Sequence, residues 1–260
     1  MIGQFKKNLD FLERLAEMTD YVISKPDTTS LTVVGEEARF PVRRIFCVGR
    51  NYAAHAREMG MDPEREPPFF FTKPSDAAFD AGVIENASVP YPMDTRNFHY
   101  EAELTVAIGK GGSSIQVKDA LEHIYGYATS LDLTRRDLQL AARDKGRPWD
   151  WGKAFDLSAP TGPICRRDDA ADLDLKKSVI RLFLDGQIKQ DATLGELIWS
   201  VPEIISTISD SIELKPGDLI MTGTPAGVGP IMPGQDLKVQ IAGLPDTILH
   251  IDERLNSLNA

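Results

Sequence analysis

Residues 98–112 read FHYEAELTVAIGKGG, and within them Glu101 to Ile108 alternates. Successive side chains of a strand point to opposite faces, so Ala102, Leu104, Val106 and Ile108 share one face and Glu101, Glu103 and Thr105 the other. An apolar face of that kind predicts a strand covered on at least one side. Upstream, Arg44 to Val48 (RIFCV) predicts a second strand, followed by a Gly49-Arg50-Asn51 turn and a helix over 52–60. Downstream, the apolar and aromatic run Ile124–Leu131 ends at Asp132. Val179 to Leu184 runs into Asp185-Gly186, a hairpin turn signal, with a return strand from Gln187. Residues 134–145, charged and free of proline, predict a helix. Pro202–Ser209 predicts another, with Ser200 as cap and Pro202 in its first turn. Gly and Pro clusters at 215–217 and 223–234 mark closing loops. Strands outnumber helices in the second half without alternating as a doubly wound sheet would, which predicts a strand-rich α+β fold.

Ahead of this region, Phe5, Leu9, Leu12, Leu15 and Ala16 fall at helical spacing, a short amphipathic helix over 5–18. Residues 1–17 read as an N-terminal extension. The expected organisation is an extension plus small peripheral segment (1–43) and one catalytic domain (44–258). At 260 residues the chain can bury a large core. Its 29 Lys+Arg against 39 Asp+Glu give a net charge of -10, which disfavours nucleic acid and anionic membranes as partners. No apolar run approaches the roughly 20 residues a spanning helix needs. The N-terminus carries charges within its apolar positions, unlike a secretory signal. Cys47 and Cys165 form neither a disulfide scaffold nor a four-thiolate site; a cytoplasmic protein with two buried structural cysteines is expected.

The candidate chemistry gathers around the first strand. Glu101 and Glu103 project from one face, and carboxylates so close repel unless one is protonated or a cation lies between them. With Asp132 they make a set of hard oxygen donors that selects Mg²⁺, Mn²⁺ or Ca²⁺ over zinc. The spacing alone also fits the solvated polar face of an amphipathic strand. In the helix after Asp132, Arg136, Gln139 and Arg143 lie at i, i+3 and i+7 on one stripe, with Lys153 beyond. That stripe suits an anionic substrate such as a keto acid, or an exposed helix laced with ion pairs. His55 and Glu58, three apart in a helix, suit either a water-activating pair or an ordinary surface contact. His99 is expected to support the site or the fold; His123 and His250 have no pattern around them. The loop Thr222–Gly229 is glycine-rich but lacks the Lys-Ser/Thr of a phosphate loop; its amides and threonine hydroxyls suit a carboxylate.

These segments together resemble the fumarylacetoacetate hydrolase family, and within it the acylpyruvate hydrolase branch. The matching stretches are VGRNYAAHAREMG (48–60), FFFTKP (69–74), FHYEAELTVAIGKGG (98–112), GYATSLDLTRRDLQ (126–139), KGRPWDWGKAFDLSAPTGP (145–163) and PGDLIMTGTPAGVGP (216–230), in the family's order. The resemblance implies a mixed β-roll with peripheral helices, assembled as a homodimer. It implies Glu101, Glu103 and Asp132 as ligands of Mg²⁺ or Mn²⁺, with Ca²⁺ also accommodated. It implies His55 and Glu58 as a water-activating pair on a mobile lid, with Lys153 catalytic. Arg50, Lys73, Arg136, Gln139 and Thr224 are expected to line a small anionic diketo-acid substrate. Leu131 departs from the Asn many members carry before this Asp, a change the acylpyruvate branch tolerates. The implied activity is metal-dependent hydrolysis of the carbon-carbon bond of an acylpyruvate, in gentisate degradation if the acyl group is fumaryl. Alternatives on the same scaffold are oxaloacetate decarboxylation, isomerisation or decarboxylation of hydroxylated dienoic diacids, and a non-catalytic metal or keto-acid binding protein.

Overall fold

The strand Ala102–Ile108 lies in the middle of an eight-stranded mixed sheet whose main path runs Phe69–Lys73, Arg44–Gly49, Asp218–Met221, Ala102–Ile108, Ile124–Leu131, Ala159–Thr161 and Ala78–Asp80. The pairs Asp218–Met221 with Arg44–Gly49 and Ala159–Thr161 with Ala78–Asp80 are parallel; the other pairs on this path are antiparallel. The computed structural model describes residues 21–58, 66–82 and 87–254. The expected helix over 5–18 therefore lies outside the described residues, as do the last residues of the one expected over 52–60.

Both faces of the central strand are buried, so the cover extends beyond the apolar face to the face that carries the acids. Leu104, Val106 and Ile108 pack into a core with Ile180, Leu182 and Val239 of a five-stranded sheet (Gln187–Thr193, Val179–Leu184, Asp236–Ile241, Thr247–Asp252, Ser88–Pro90). On the other face Ala107 joins a second core with Ile45, Cys47, Ala128, Leu219 and Met221. One pleat further along, the Thr105 and Ser130 hydroxyls pair at 2.6 Å. That face thus passes from apolar core to the acids Glu103 and Glu101 within four residues. Leu31, Val33, Phe40 and Val42 belong to the second core, so residues 30–42 are tied into the body of the fold and not laid upon it.

Among the described residues the α-helices are few and peripheral: Ala53–Glu58, Arg136–Arg143, Asp150–Lys153 and Val201–Ser211. Ser200 caps the last in a capping box with Glu203, and Pro202 stands in its first turn, as expected. Asp185 (φ 49°) and Gly186 (φ 77°) supply the two left-handed residues that a type I′ hairpin needs. One helix starts later than expected. Thr134–Arg135 stays extended and pairs antiparallel with Phe98–His99, and the Arg136 amide donates to the Asn97 carbonyl at 2.8 Å. Tertiary pairing holds these two residues out of the helix. Among the described residues no helix is long and apolar enough to cross a membrane.

Candidate active site

Glu101 and Glu103 stand at the start of the central strand, and Asp132 directly follows its neighbour Ile124–Leu131. Register brings them together: the Asp132 amide donates to the Glu101 carbonyl at 2.8 Å. One ligand atom from each carboxylate lies within 4.8 Å of the others. All three are buried, which removes the reading of a solvated polar face.

Burial of like charges has to be compensated. The Lys153 ammonium donates to Glu101 Oε2 (2.8 Å), Asp132 Oδ2 (2.7 Å) and Thr134 Oγ1 (2.7 Å). Arg136 bonds Glu101 Oε1 through Nη2 and Gln139 Oε1 through Nη1. Burial alone pushes the Glu101 carboxyl up, but Lys153, Arg136 and His55 outweigh it and hold the group well below the usual range. Glu103 moves the opposite way, pushed well up by burial and by the charges of Asp132 and Glu101; its Oε2 accepts the Gly223 amide at 2.6 Å. Among the described residues Glu103 has no ion pair.

The donor set fits a hard divalent cation: three carboxylates, no thiolate or imidazole among them, and one carboxylate without a counter-charge. Asp132 Oδ1 points the same way, since it meets no hydrogen-bond donor in good geometry although the Lys73 ammonium is 2.9 Å off. Lys73 corrects one expectation. Its amine is fully buried behind the acids, donating to the carbonyls of Leu133 (3.2 Å), Ser158 (3.0 Å) and Lys153, so it braces Asp132 and the Lys153 segment and does not line the cavity.

Above the acids lies a cleft of about 500 Å³ including its open mouth, lined by the three carboxylates together with Arg50, His55, Arg136, Gln139, Lys153 and Thr224. All the other predicted site residues except Glu58 therefore meet in one cavity. Glu58 acts on it through His55, whose Nδ1 lies 3.2 Å from Glu58 Oε2. The Glu58 carboxylate also accepts the Gly227 amide at 3.1 and 3.2 Å, which joins this short helix to the 222–229 loop. Asn51 anchors the turn before it, donating to the Thr222 (2.8 Å) and Trp199 (2.9 Å) carbonyls and accepting the Trp199 amide (2.7 Å). Gly223 has φ 104°, and a Cβ there would sit 2.7 Å from that of Asn51, so glycine is required.

His99 backs the site as expected: burial and the Arg136 charge bring its pKa down to about 4, leaving a neutral ring whose Nδ1 accepts from Arg136 Nε at 3.5 Å. His123 and His250 bond elsewhere, to the Lys110 carbonyl and to Asp236. Both cysteines are free and buried. Two groups of residues escape sequence reasoning. Val48, Phe71, Leu140 and Trp149 also line the cleft, beside Arg143, which the stripe of the Arg136 helix already placed there. Gln190, fully buried, accepts the Ala102 amide (2.9 Å) and donates to Thr224 Oγ1 (2.8 Å) and the Pro225 carbonyl (2.7 Å), clamping the acidic strand to the 222–229 loop. Nothing in its strand, QIKQDAT, singles it out.

A mixed β-roll holding three buried carboxylates under a His-Glu pair defines a class, and residues 44–251 match the model described as fumarylacetoacetate (FAA) hydrolase C-terminal. The chain belongs to the fumarylacetoacetate hydrolase family. The crystal structure of fumarylpyruvate hydrolase from Pseudomonas aeruginosa in complex with Mn²⁺ and pyruvate is 48% identical, covers 90% of this chain and 100% of its own, and superposes with a TM-score of 0.87. Fumarylpyruvate hydrolase of Ralstonia sp is 42% identical over 191 residues, 74% of this chain and 96% of that protein. Mitochondrial oxaloacetate decarboxylase of Dictyostelium discoideum is 40% identical over 217 residues, 84% of this chain and 96% of that protein.

Proposed function

We propose that this protein hydrolyses the carbon-carbon bond of an acylpyruvate, converting fumarylpyruvate and water to fumarate and pyruvate. The observation that carries it is the convergence of the buried acids, Lys153 and the His55–Glu58 pair on one cleft. Glu101, Glu103 and Asp132 would hold Mg²⁺ or Mn²⁺, which supplies Lewis-acid stabilisation of developing enolate charge. Arg136, Gln139 and Thr224 orient the diketo acid. His55 Nε2, with Nδ1 fixed by Glu58, takes a proton from water as its oxygen bonds to the acyl carbonyl carbon. The carbon-carbon bond then breaks with its electron pair passing to the pyruvyl fragment, and the Lys153 ammonium stabilises the enolate oxygen. His55 returns its proton to the methylene carbon, which balances the reaction. The buried acids and Lys153 suit a product enolate; a His-Glu pair is superfluous unless water attacks. The family resemblance supports a homodimer, which light scattering on the purified protein checks.

A second reading, oxaloacetate decarboxylation, is favoured by the 40% identity to the Dictyostelium enzyme. Loss of the ultraviolet absorbance of enolised fumarylpyruvate with Mg²⁺, abolished by EDTA and yielding fumarate and pyruvate, is the expected result. Activity confined to oxaloacetate would replace the first reading with the second. Tight metal and pyruvate binding without turnover of any of these would mark a binding protein.

A further inference from the structure

Two guanidiniums line the cleft apart from the one that binds Glu101, and neither forms an ion pair with a carboxylate of the cleft. Arg50 makes no hydrogen bond or ion pair among the described residues. Its Cζ lies 5.8 Å from the ring centroids of both Phe69 and Trp149, contacts that hold the planar group while leaving its N–H edge uncommitted. Its backbone is left-handed at φ 59°, uncommon for a residue with a Cβ, and Asn51 locks the turn that imposes it. Arg143 spends Nε and Nη2 on its own neighbour Asp144, at 3.0 and 2.9 Å, an exposed contact of small value, and keeps Nη1 uncommitted. Burial first and the Arg143 charge second pull the Arg50 pKa down, so the two guanidiniums feel each other; Glu66 offsets this from beyond ion-pair distance. Both line the cleft. Like charges gathered in one cavity are the arrangement an anion stabilises.

We propose that Arg50 and Arg143 form a subsite for the distal carboxylate of the acyl group, and that the substrates are diketo acids ending in a second carboxylate. The inference rests on the cleft being a diketo-acid site and names what selects the acyl group. Distance supports it. Arg136 touches Glu101, and Arg143 follows seven residues later on the same helix stripe, roughly 10 Å along the axis at about 1.5 Å per residue. Fumarylpyruvate has six carbon-carbon bonds, so its terminal carbons stand roughly 7 Å apart at about 1.2 Å of extended chain per bond. A hydrogen bond beyond the distal carboxylate covers the remainder. Acetylpyruvate has no second carboxylate, and oxaloacetate, with three bonds, spans only about half the distance. Between the acids and the arginines the wall is apolar and aromatic (Val48, Phe71, Leu140, Trp149), suited to an unsaturated chain and not to a carboxylate.

The test compares fumarylpyruvate with acetylpyruvate on wild type, Arg143→Met, Arg143→Lys and Arg50→Met. Kinetics give KM and kcat, and quenching of tryptophan fluorescence, Trp149 lying in the cleft, gives Kd independently of turnover. For both methionine variants we expect discrimination between the two substrates to fall at least tenfold, through KM and Kd, with Arg143→Lys retaining part of it. Arg143 stands at a helix end, so its variants cover the case in which Arg50→Met does not fold. If wild type cleaves neither substrate but Arg143→Met still loses affinity for fumarylpyruvate selectively, the hydrolase reading fails and the subsite stands. If the folded variants weaken both ligands equally or neither, the subsite is overturned whether or not hydrolysis occurs.

Discussion

Two walls of the same cleft are built differently. The acids stand on strands inside an eight-stranded sheet: the strand after Glu101 is paired on both sides, Glu103 is 2% exposed, and Lys73 from behind and Lys153 and Arg136 from the cleft brace the group. The His55–Glu58 pair stands on a six-residue helix, and the Glu58 side chain is 35% exposed, held to the fold by the Gly227 amide. A helix so short has little stability of its own. Charge that must stay buried is set in a sheet, where displacement would cost several hydrogen bonds at once. The pair proposed to activate water is set on a short helix tied to the neighbouring loop by a single backbone amide.

The largest effect should come from breaking the rigid wall. Lys153→Met removes the cation shared by Glu101 and Asp132, and kcat on fumarylpyruvate should fall on the order of 10³-fold. Without metal the same variant should lose about 3 kcal/mol or more of stability, and added Mg²⁺ should raise its melting temperature by more than it raises wild type. An unchanged metal response would mean that Lys153 and the cation do not share the acids. On the other wall, His55→Ala and Glu58→Gln should each lower kcat by roughly 10²-fold or more. Their Mg²⁺-dependent melting shift should stay that of wild type; losing it would show that the two walls are one unit.

Gln190→Leu severs the link between the walls. It strands the Ala102 amide, the Pro225 carbonyl and the Thr224 hydroxyl, and should cost about 2–3 kcal/mol in denaturant unfolding. KM should rise more than kcat falls, since Thr224 lines the cleft and the dyad is untouched. The smallest effect is at Asp137, in the first turn of the Arg136–Arg143 helix. Burial raises its carboxyl, but hydrogen bonds from the Arg96 amide (2.9 Å), Thr95 Oγ1 (2.6 Å) and the Leu138 amide (3.0 Å) together prevail and lower its pKa. Its stabilisation is therefore present above the ordinary carboxylate range and lost as pH falls through the lowered value. Asp137→Asn should cost under about 1 kcal/mol at pH 7, and the gap to wild type should close in acid melts.

Local chemistry accounts for what was legible in the chain. The alternation from Glu101 to Ile108, the Asp185-Gly186 turn and the Ser200 cap each act through neighbours in sequence, and each appears where the pattern places it. The family motifs carried the acidic residues, His55, Glu58 and Lys153 to one region of expectation, and the fold gathers them, Glu58 through its contact with His55. Where expectation failed, a partner distant in sequence intervened. Phe98–His99 holds Thr134 and Arg135 out of their helix, and three carbonyls draw Lys73 behind the acids.

What the sequence by itself determined is therefore the set of elements and the donor types: period-two patterning, turn and cap residues, and hard oxygen ligands are properties of short stretches. Only the tertiary structure decided that both faces of the central strand would be buried, which cation would reach which carboxylate, and that Gln190 would clamp Thr224. Those depend on the register between strands and on the packing of two sheets, and a contact between residues 88 positions apart leaves no periodicity in either stretch.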